Sequence, residues 1–229
     1  MARVLRWRSL TAYGAARPIR NLALLATLAL PQKATAEPLT LLAFGDSLTQ
    51  GYGLPPDQGF VPQLQEWLRA EGADVTVVNA GVSGDTTAGG AARIEWTLTP
   101  EIDAMILTLG GNDLLRGIDP AVAARNLDRI LAATDAQGLP VLLVAMQALG
   151  NYGPDYKRDF DAIYPDLAAR YDAMLADSFF AALLAPGTSQ SSFNTYMQAD
   201  GIHPNAEGVA RIVAAIGPDV LTLLNSADP

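Results

Sequence analysis

Ser47, Asp200 and His203 are the residues whose types and spacing could do acyl-transfer chemistry. Ser47 sits in Phe44-Gly45-Asp46-Ser47-Leu48-Thr49-Gln50-Gly51-Tyr52-Gly53, directly after the apolar run Leu39 to Phe44. His203 is the only histidine in the 229-residue chain, so no other imidazole competes for the part of a neutral-pH general base. Asp200 precedes it by three residues. On a tight turn entering a helix, a carboxylate at that spacing can reach the imidazole Nδ1-H and leave Nε2 free to take a proton from Ser47. Each part also has an ordinary reading: Ser47 as a helix N-cap beside a turn-forming Asp46, Asp200 as a turn residue, and His203 as the residue before a proline at a helix start.

Acyl transfer also needs donors for the oxyanion that develops. Asn112 follows an apolar run and two glycines, so its amide can donate into a crevice, and Gly84 can present a backbone N-H where a side chain would block approach. With the N-H of Ser47, that makes three potential donors. Both Asn112 and Gly84 read equally as turn residues, and Asp113 reads as structural, tying neighbouring loops together.

These residues must be positioned by elements that alternate along the chain. Strand patterns at Leu39 to Phe44, Asp74 to Asn79, Ala104 to Leu109 and Val141 to Met146 are separated by helical ones. The spacing predicts helices over Phe60 to Ala70, with Leu64, Trp67 and Leu68 on one face, and over Thr86 to Leu98. A third starts at Asp119-Pro120 with the stripe Ala123, Leu127, Ile130 and Leu131, and a fourth covers Asp155 to Leu175. Ser178 to Ala181 reads as a short fifth strand, and Pro186 to Ala199 as polar and irregular. The last helix is expected from Pro204, with Val209, Ile212, Val213 and Ile216 inward and Pro218 interrupting it. This alternation implies a parallel sheet with helices on both faces, and such sheets bind ligands beyond the carboxyl ends of their strands. Gly45 would let the chain turn sharply out of the first strand. The loops after strands 1, 2 and 3 then share one edge, which the His203 loop must also reach.

The first 36 residues read as a secretory leader. A basic region precedes the nine-residue apolar run Leu22 to Leu30, and Ala34-Thr35-Ala36 fits small-x-small cleavage, so the mature chain starts at Glu37 and the domain spans residues 37–229. Nine residues fall short of the ~20 that span a bilayer, so no stable membrane insertion is expected. Arg3, Arg6, Arg8, Arg17, Arg20 and Lys33 would leave with the leader, taking the net charge from -9 to -15. That surface repels nucleic acid and anionic membrane. Export to a periplasm or the exterior permits disulfides, but there are no cysteines, so packing alone must hold one core.

Four blocks in order, Gly45-Asp46-Ser47-Leu48, Gly84, Gly110-Gly111-Asn112-Asp113 and Asp200-Gly201-Ile202-His203, resemble those of the SGNH (GDSL-type) hydrolase family. Asn79 to Thr86, Leu115-Arg116-Gly117 and Asn151-Tyr152-Gly153 add to the likeness, which is strongest to small periplasmic enzymes described as arylesterase, acyl-CoA thioesterase and lysophospholipase. The resemblance implies a flavodoxin-like three-layer α/β/α sandwich with a mostly parallel sheet of about five strands. It implies Ser47 as nucleophile, Asp200 and His203 completing the triad, and an oxyanion hole of the Ser47 and Gly84 N-H groups and the Asn112 amide. It also implies that Leu114, Leu115, Leu149, Asn151 and Tyr152 border an acyl pocket. The partner is then a small ester such as an acyl ester or lysophospholipid, the chain is expected to be a monomer, and neither metal nor organic cofactor is required.

Other chemistries fit poorly. No G-x-S-x-G elbow or Walker loop is present, Gly51-Tyr52-Gly53 runs into Leu54-Pro55-Pro56 and not into a dinucleotide fingerprint, and one histidine without cysteine makes a poor zinc site. A carbohydrate deacetylase of the same family remains an alternative, as does a non-catalytic binder of lipid or glycan.

Overall fold

The computed structural model describes residues 38–184 and 189–227. The expected leader, residues 1–36, and part of the Pro186 to Ala199 segment lie outside the described residues. Five strands, β1 (Leu39–Gly45), β2 (Val75–Gly81), β3 (Ala104–Thr108), β4 (Val141–Val144) and β5 (Met174–Ala176), form one parallel sheet in the order β2-β1-β3-β4-β5. β3 and β4 are buried along their whole length, as strands covered on both faces must be. The helices are α1 (Ser47–Gln50), α2 (Phe60–Ala70), α3 (Thr87–Thr97), α4 (Gly111–Arg116), α5 (Pro120–Asp135), α6 (Pro154–Asp161), α7 (Ile163–Tyr171), α8 (Gln190–Thr195) and α9 (Ala206–Ala227). One layer packs α3, α5 and α7 against each other, and another packs α2 against α9, giving the three-layer arrangement. Among the described residues no helix is long and apolar enough to cross a membrane.

The expected faces hold where periodicity was strong. Leu64 and Leu68 of α2, Ala123, Leu127, Ile130 and Leu131 of α5, and Val209, Ile212, Val213 and Ile216 of α9 are all buried. Asp119 caps α5 by accepting the Ala121 N-H at 2.8 Å, with Pro120 next in the chain.

Four expectations are corrected. The helix over Asp155 to Leu175 is two helices, because Pro165, near the start of α7, has no N-H to continue the ladder. It then stops at Asp172, whose φ of 50° makes it the left-handed cap that lets Met174–Ala176 pair with β4. The fifth strand is therefore Met174–Ala176, and Ser178 to Ala181 is a turn entering a short 3-10 helix. Gln190–Thr195 is helical within the segment expected to be irregular, capped by the Ser189 hydroxyl. Finally, α9 begins at Ala206 and runs through Pro218, because its apolar face from Val209 to Leu224 is buried, and that packing outweighs the ~3 kcal/mol an interior proline costs.

β2 is an edge strand, and its outer backbone groups are covered by a side chain. The Gln65 amide donates to the Val75 carbonyl at 2.8 Å and accepts the Val77 N-H at 2.8 Å, imitating a neighbouring strand. Gln65→Ala should therefore lower stability by about 2 kcal/mol and expose an edge for self-association. Denaturant unfolding and sedimentation check this; an unchanged midpoint would mean that water replaces the amide without cost.

Candidate active site

The strand order reverses between β1 and β3, the place where sheets of this kind bind their ligands, and Ser47 follows directly on the carboxyl end of β1. Gly45, the last residue of β1, has no positive φ; it is glycine for want of space. A Cβ there would lie 2.7 Å from the Thr108 carbonyl oxygen and against the Thr49 hydroxyl. The N-cap of α1 is Asp46 and not Ser47: its Oδ1 accepts the Leu48 N-H at 3.0 Å. Ser47 is consequently the first helical residue, and its N-H has no acceptor inside the helix.

His203 arrives on a turn that Asp200 folds. Asp200 Oδ1 accepts the N-H groups of Ile202 at 2.9 Å and His203 at 3.0 Å, which turns its Oδ2 to within 2.7 Å of His203 Nδ1. The opposite ring nitrogen, Nε2, lies 2.9 Å from Ser47 Oγ. Burial alone would raise the Asp200 carboxyl, but the His203 ring and the two backbone N-H groups outweigh it and hold it down at about 2. An ionised Asp200 keeps the proton on Nδ1 and leaves Nε2 as the acceptor. Two residues to which the sequence assigned no role steady this arm. The Tyr52 ring lies 4.7 Å from the imidazole centroid, and the Gln198 amide donates to the Tyr52 carbonyl at 2.8 Å and the Pro204 carbonyl at 3.0 Å. Gln198 stands in no periodic pattern or recognisable spacing that could have flagged it, whereas Tyr52 belongs to the run from Phe44 to Gly53 that carries Ser47.

The other candidate donors, Gly84 and Asn112, lie on the segments after β2 and β3. Gly84 sits at φ 83°, a left-handed conformation that glycine adopts without cost. Neither its N-H nor that of Ser47 meets an acceptor among the described residues. Asn112 lies on α4, a six-residue helix that no periodicity announced, and its Nδ2 donates to Asp46 Oδ2 at 3.3 Å. Asp113 is buried and accepts from the Thr87 hydroxyl at 2.7 Å and N-H at 2.8 Å, tying the loop after β3 to the start of α3. Desolvation raises its carboxyl pKa against those bonds.

The expected pocket residues are only partly brought together. The Tyr152 hydroxyl donates to the Leu115 carbonyl at 3.4 Å, joining the segments after β3 and β4. Leu115, Leu149, Asn151 and Tyr152 are exposed, whereas Leu114 is half-buried against the core. Among the described residues no group of three or more His, Cys, Asp or Glu side chains could hold a metal ion.

A carboxylate, an imidazole and a serine hydroxyl in one chain of bonds, with free donors alongside, can pass a proton and stabilise an oxyanion. At the switch point of a parallel sheet, that is the architecture of a serine-dependent ester hydrolase. Residues 43–211 match the GDSL-like Lipase/Acylhydrolase family. The chain is 41% identical over 201 residues to esterase TesA of Pseudomonas aeruginosa, covering 87% of this chain and 96% of that protein. It is 35% identical over 188 residues to thioesterase 1/protease 1/lysophospholipase L1 of Escherichia coli K12, covering 81% and 85% of the two chains. The crystal structure of AlinE4, an SGNH-hydrolase family esterase, superposes with a TM-score of 0.67 at 42% identity over 83% of this chain and 99% of that one. The chain belongs to the GDSL-like lipase/acylhydrolase family and is a serine esterase of the SGNH type.

Asp46, only 1% exposed, carries a measurable signature. Desolvation raises its carboxyl pKa from 3.8 to about 6, against the lowering effects of the Leu48 N-H, Asn112 and His203. The folded state therefore holds a proton that the unfolded chain has released, and this contribution to stability is lost as pH rises from about 4 through about 6. Its full size is ~3 kcal/mol, at 1.36 kcal/mol per pKa unit. Asp46→Asn abolishes the titration, so its stability relative to the parent should improve by about that amount between pH 4 and pH 8. Parallel unfolding curves across that range would refute the assignment.

Proposed function

We propose that the mature protein is an exported esterase that cleaves medium- or long-chain acyl esters, aryl esters and lysophospholipids among them, through an acyl-enzyme on Ser47. His203 Nε2 takes the Ser47 proton as Oγ bonds to the ester carbonyl carbon, and Asp200 holds the imidazole through Nδ1. The carbonyl oxygen becomes an oxyanion bound by the Ser47 and Gly84 N-H groups and the Asn112 amide. Collapse breaks the bond to the leaving alcohol, which receives the proton from His203. Water, deprotonated by His203, then attacks the acyl-enzyme, releasing the acid and restoring Ser47. The observation that carries this reading is the bonded chain from Asp200 Oδ2 to His203 at 2.7 Å and from His203 to Ser47 Oγ at 2.9 Å.

Exposed apolar side chains support an acyl substrate over an acetylated sugar. Tyr52 is 51% exposed, Leu115 59%, Leu149 89% and Tyr152 44%, and all belong to segments that follow strands at the carboxyl edge of the sheet. The E. coli relative's name joins thioesterase to lysophospholipase, and the same attack opens a thioester. An exported enzyme does not meet the cytoplasmic acyl-CoA pool, so thioester cleavage is here a side activity. Export rests on the leader pattern of residues 1–36, with the mature monomer starting at Glu37.

Hydrolysis of p-nitrophenyl esters from acetate to palmitate, run beside Ser47→Ala, tests the reading. Serine-dependent turnover should peak at medium or long chains and extend to lysophospholipid. Turnover confined to acetate would favour sugar deacetylation, and none at any length would favour a binding protein. Asn112→Ala should reduce turnover ~10² to 10³-fold while leaving KM near its parent value, the usual cost of one oxyanion donor.

A further inference from the structure

We propose that Arg116 and Asp46 are positioning residues that lock the Asn112 amide in one orientation, its NH2 group on Asp46, the residue before Ser47, with Arg116 also tying that amide to the Gly84 loop. The proposal rests on the oxyanion role given to Asn112 and Gly84 above.

A side-chain amide is nearly symmetric in shape, yet its two ends have opposite chemistry. Flipped by half a turn, Asn112 would offer lone pairs to an oxyanion and repel it. Its two flanking groups remove that freedom. Asp46 is acceptor-only when ionised, and with Oδ1 taken by the Leu48 N-H at 3.0 Å, its Oδ2 receives Asn112 Nδ2 at 3.3 Å. Arg116 is donor-only, and one of its terminal nitrogens lies 3.5 Å from Asn112 Oδ1. In the flipped amide both contacts would become like against like, oxygen on carboxylate and NH2 on guanidinium. One orientation is thus selected from both sides.

The spacing explains how a short helix does this. Arg116 stands four residues after Asn112 in α4, so both lie on one helix face. The same terminal nitrogen donates to the Gly84 carbonyl at 2.9 Å. One guanidinium therefore spans two loops, after β2 and after β3, that each supply an oxyanion donor. A lysine has a single ammonium on a flexible stem and lacks the planar, preorganised fork for that bridge. Arg116 is exposed and packs into no core, so positioning is what its removal should disturb.

The test is a double-mutant cycle on the mature enzyme with a p-nitrophenyl ester. Arg116→Ala should lower kcat roughly 10-fold, less than outright loss of a donor, with KM within about two-fold of the parent. Added guanidinium should restore part of that kcat, and Arg116→Lys should retain only part of it. In an Asn112→Ala background the same change should cost less than about three-fold, because little is left to position. Asp46→Asn, which keeps the helix cap but offers one carbonyl oxygen to two donors, should show the same coupling to Asn112. An equal fold-loss in both backgrounds would overturn the proposal. So would a raised KM with unchanged kcat, which would make Arg116 a substrate contact. Full turnover in the single variant Asn112→Ala would overturn the oxyanion role itself and the clamp with it, a failure visible before the cycle is read.

Discussion

The last carbonyl of β1 is an acceptor that two separate segments share. Gly45 O receives the Val82 N-H at 3.0 Å and a terminal nitrogen of Arg93 at 2.9 Å, immediately before the chain turns into Asp46 and Ser47. Arg93 also pairs with Asp85 at 2.7 Å and lies 3.9 Å over the Phe44 ring. Both partners of that ion pair are largely buried, with side chains 23% and 17% exposed, so removing either would strand the other in a desolvated place. Asp85 follows Gly84 directly. The Arg93 network thus couples the turn that carries Ser47 to the loop that carries a candidate oxyanion donor.

That crowding leaves polar groups poorly served. Asp46 is buried with a carboxyl raised to about 6, and the second buried carboxyl, Asp113, adds to its repulsion. The hydroxyls of Thr49 and Thr108, on residues beside Gly45, are buried and meet no hydrogen-bond partner among the described residues. A fold selected for stability alone would fill this place with apolar side chains. Natural proteins break such local rules where a site is built, and Asp46, Ser47, Thr49 and Thr108 bring four of the buried polar side chains to the serine turn.

How much of this was legible in the sequence depended on range and periodicity. The buried runs of β1, β3 and β4 and the stripes of α5 and α9 are long enough to declare themselves, so the parallel sheet and its helical layers could be read, whereas the strand order could not. β5 was misplaced because its preceding turn uses Asp172, a residue in a conformation usually given to glycine, with no glycine or proline to mark it. α1 and α4 have four and six residues, too few for any period, yet they carry Ser47 and Asn112. Arg116 and Gln198 act across the fold on backbone carbonyls, and nothing in their own surroundings in the chain signals an acceptor elsewhere.

The two halves of the site differ in the same way. Asp200 and His203 are three residues apart on one turn, and Asp200 folds that turn with the oxygen it does not give to the imidazole. Their geometry is local, so the spacing could suggest it, although it left the ordinary turn reading open until the four blocks were taken together. The candidate donors come from three segments after three strands, and their mutual placement depends on the register of β1 with β2 and β3, where Gly45 stands opposite both Gly81 and Thr108. The Asp200-His203 turn is instead joined to the fold by the bonds that Gln198 makes to the Tyr52 and Pro204 carbonyls, by the Met197-Pro204 bridge and by the Gln63 amide, which donates to the Ala206 carbonyl at 3.1 Å. The Asp200-His203 pair and the candidate oxyanion donors thus answer to different parts of the fold, and they meet at one residue, Ser47, the pair at its Oγ and the donors at its backbone N-H.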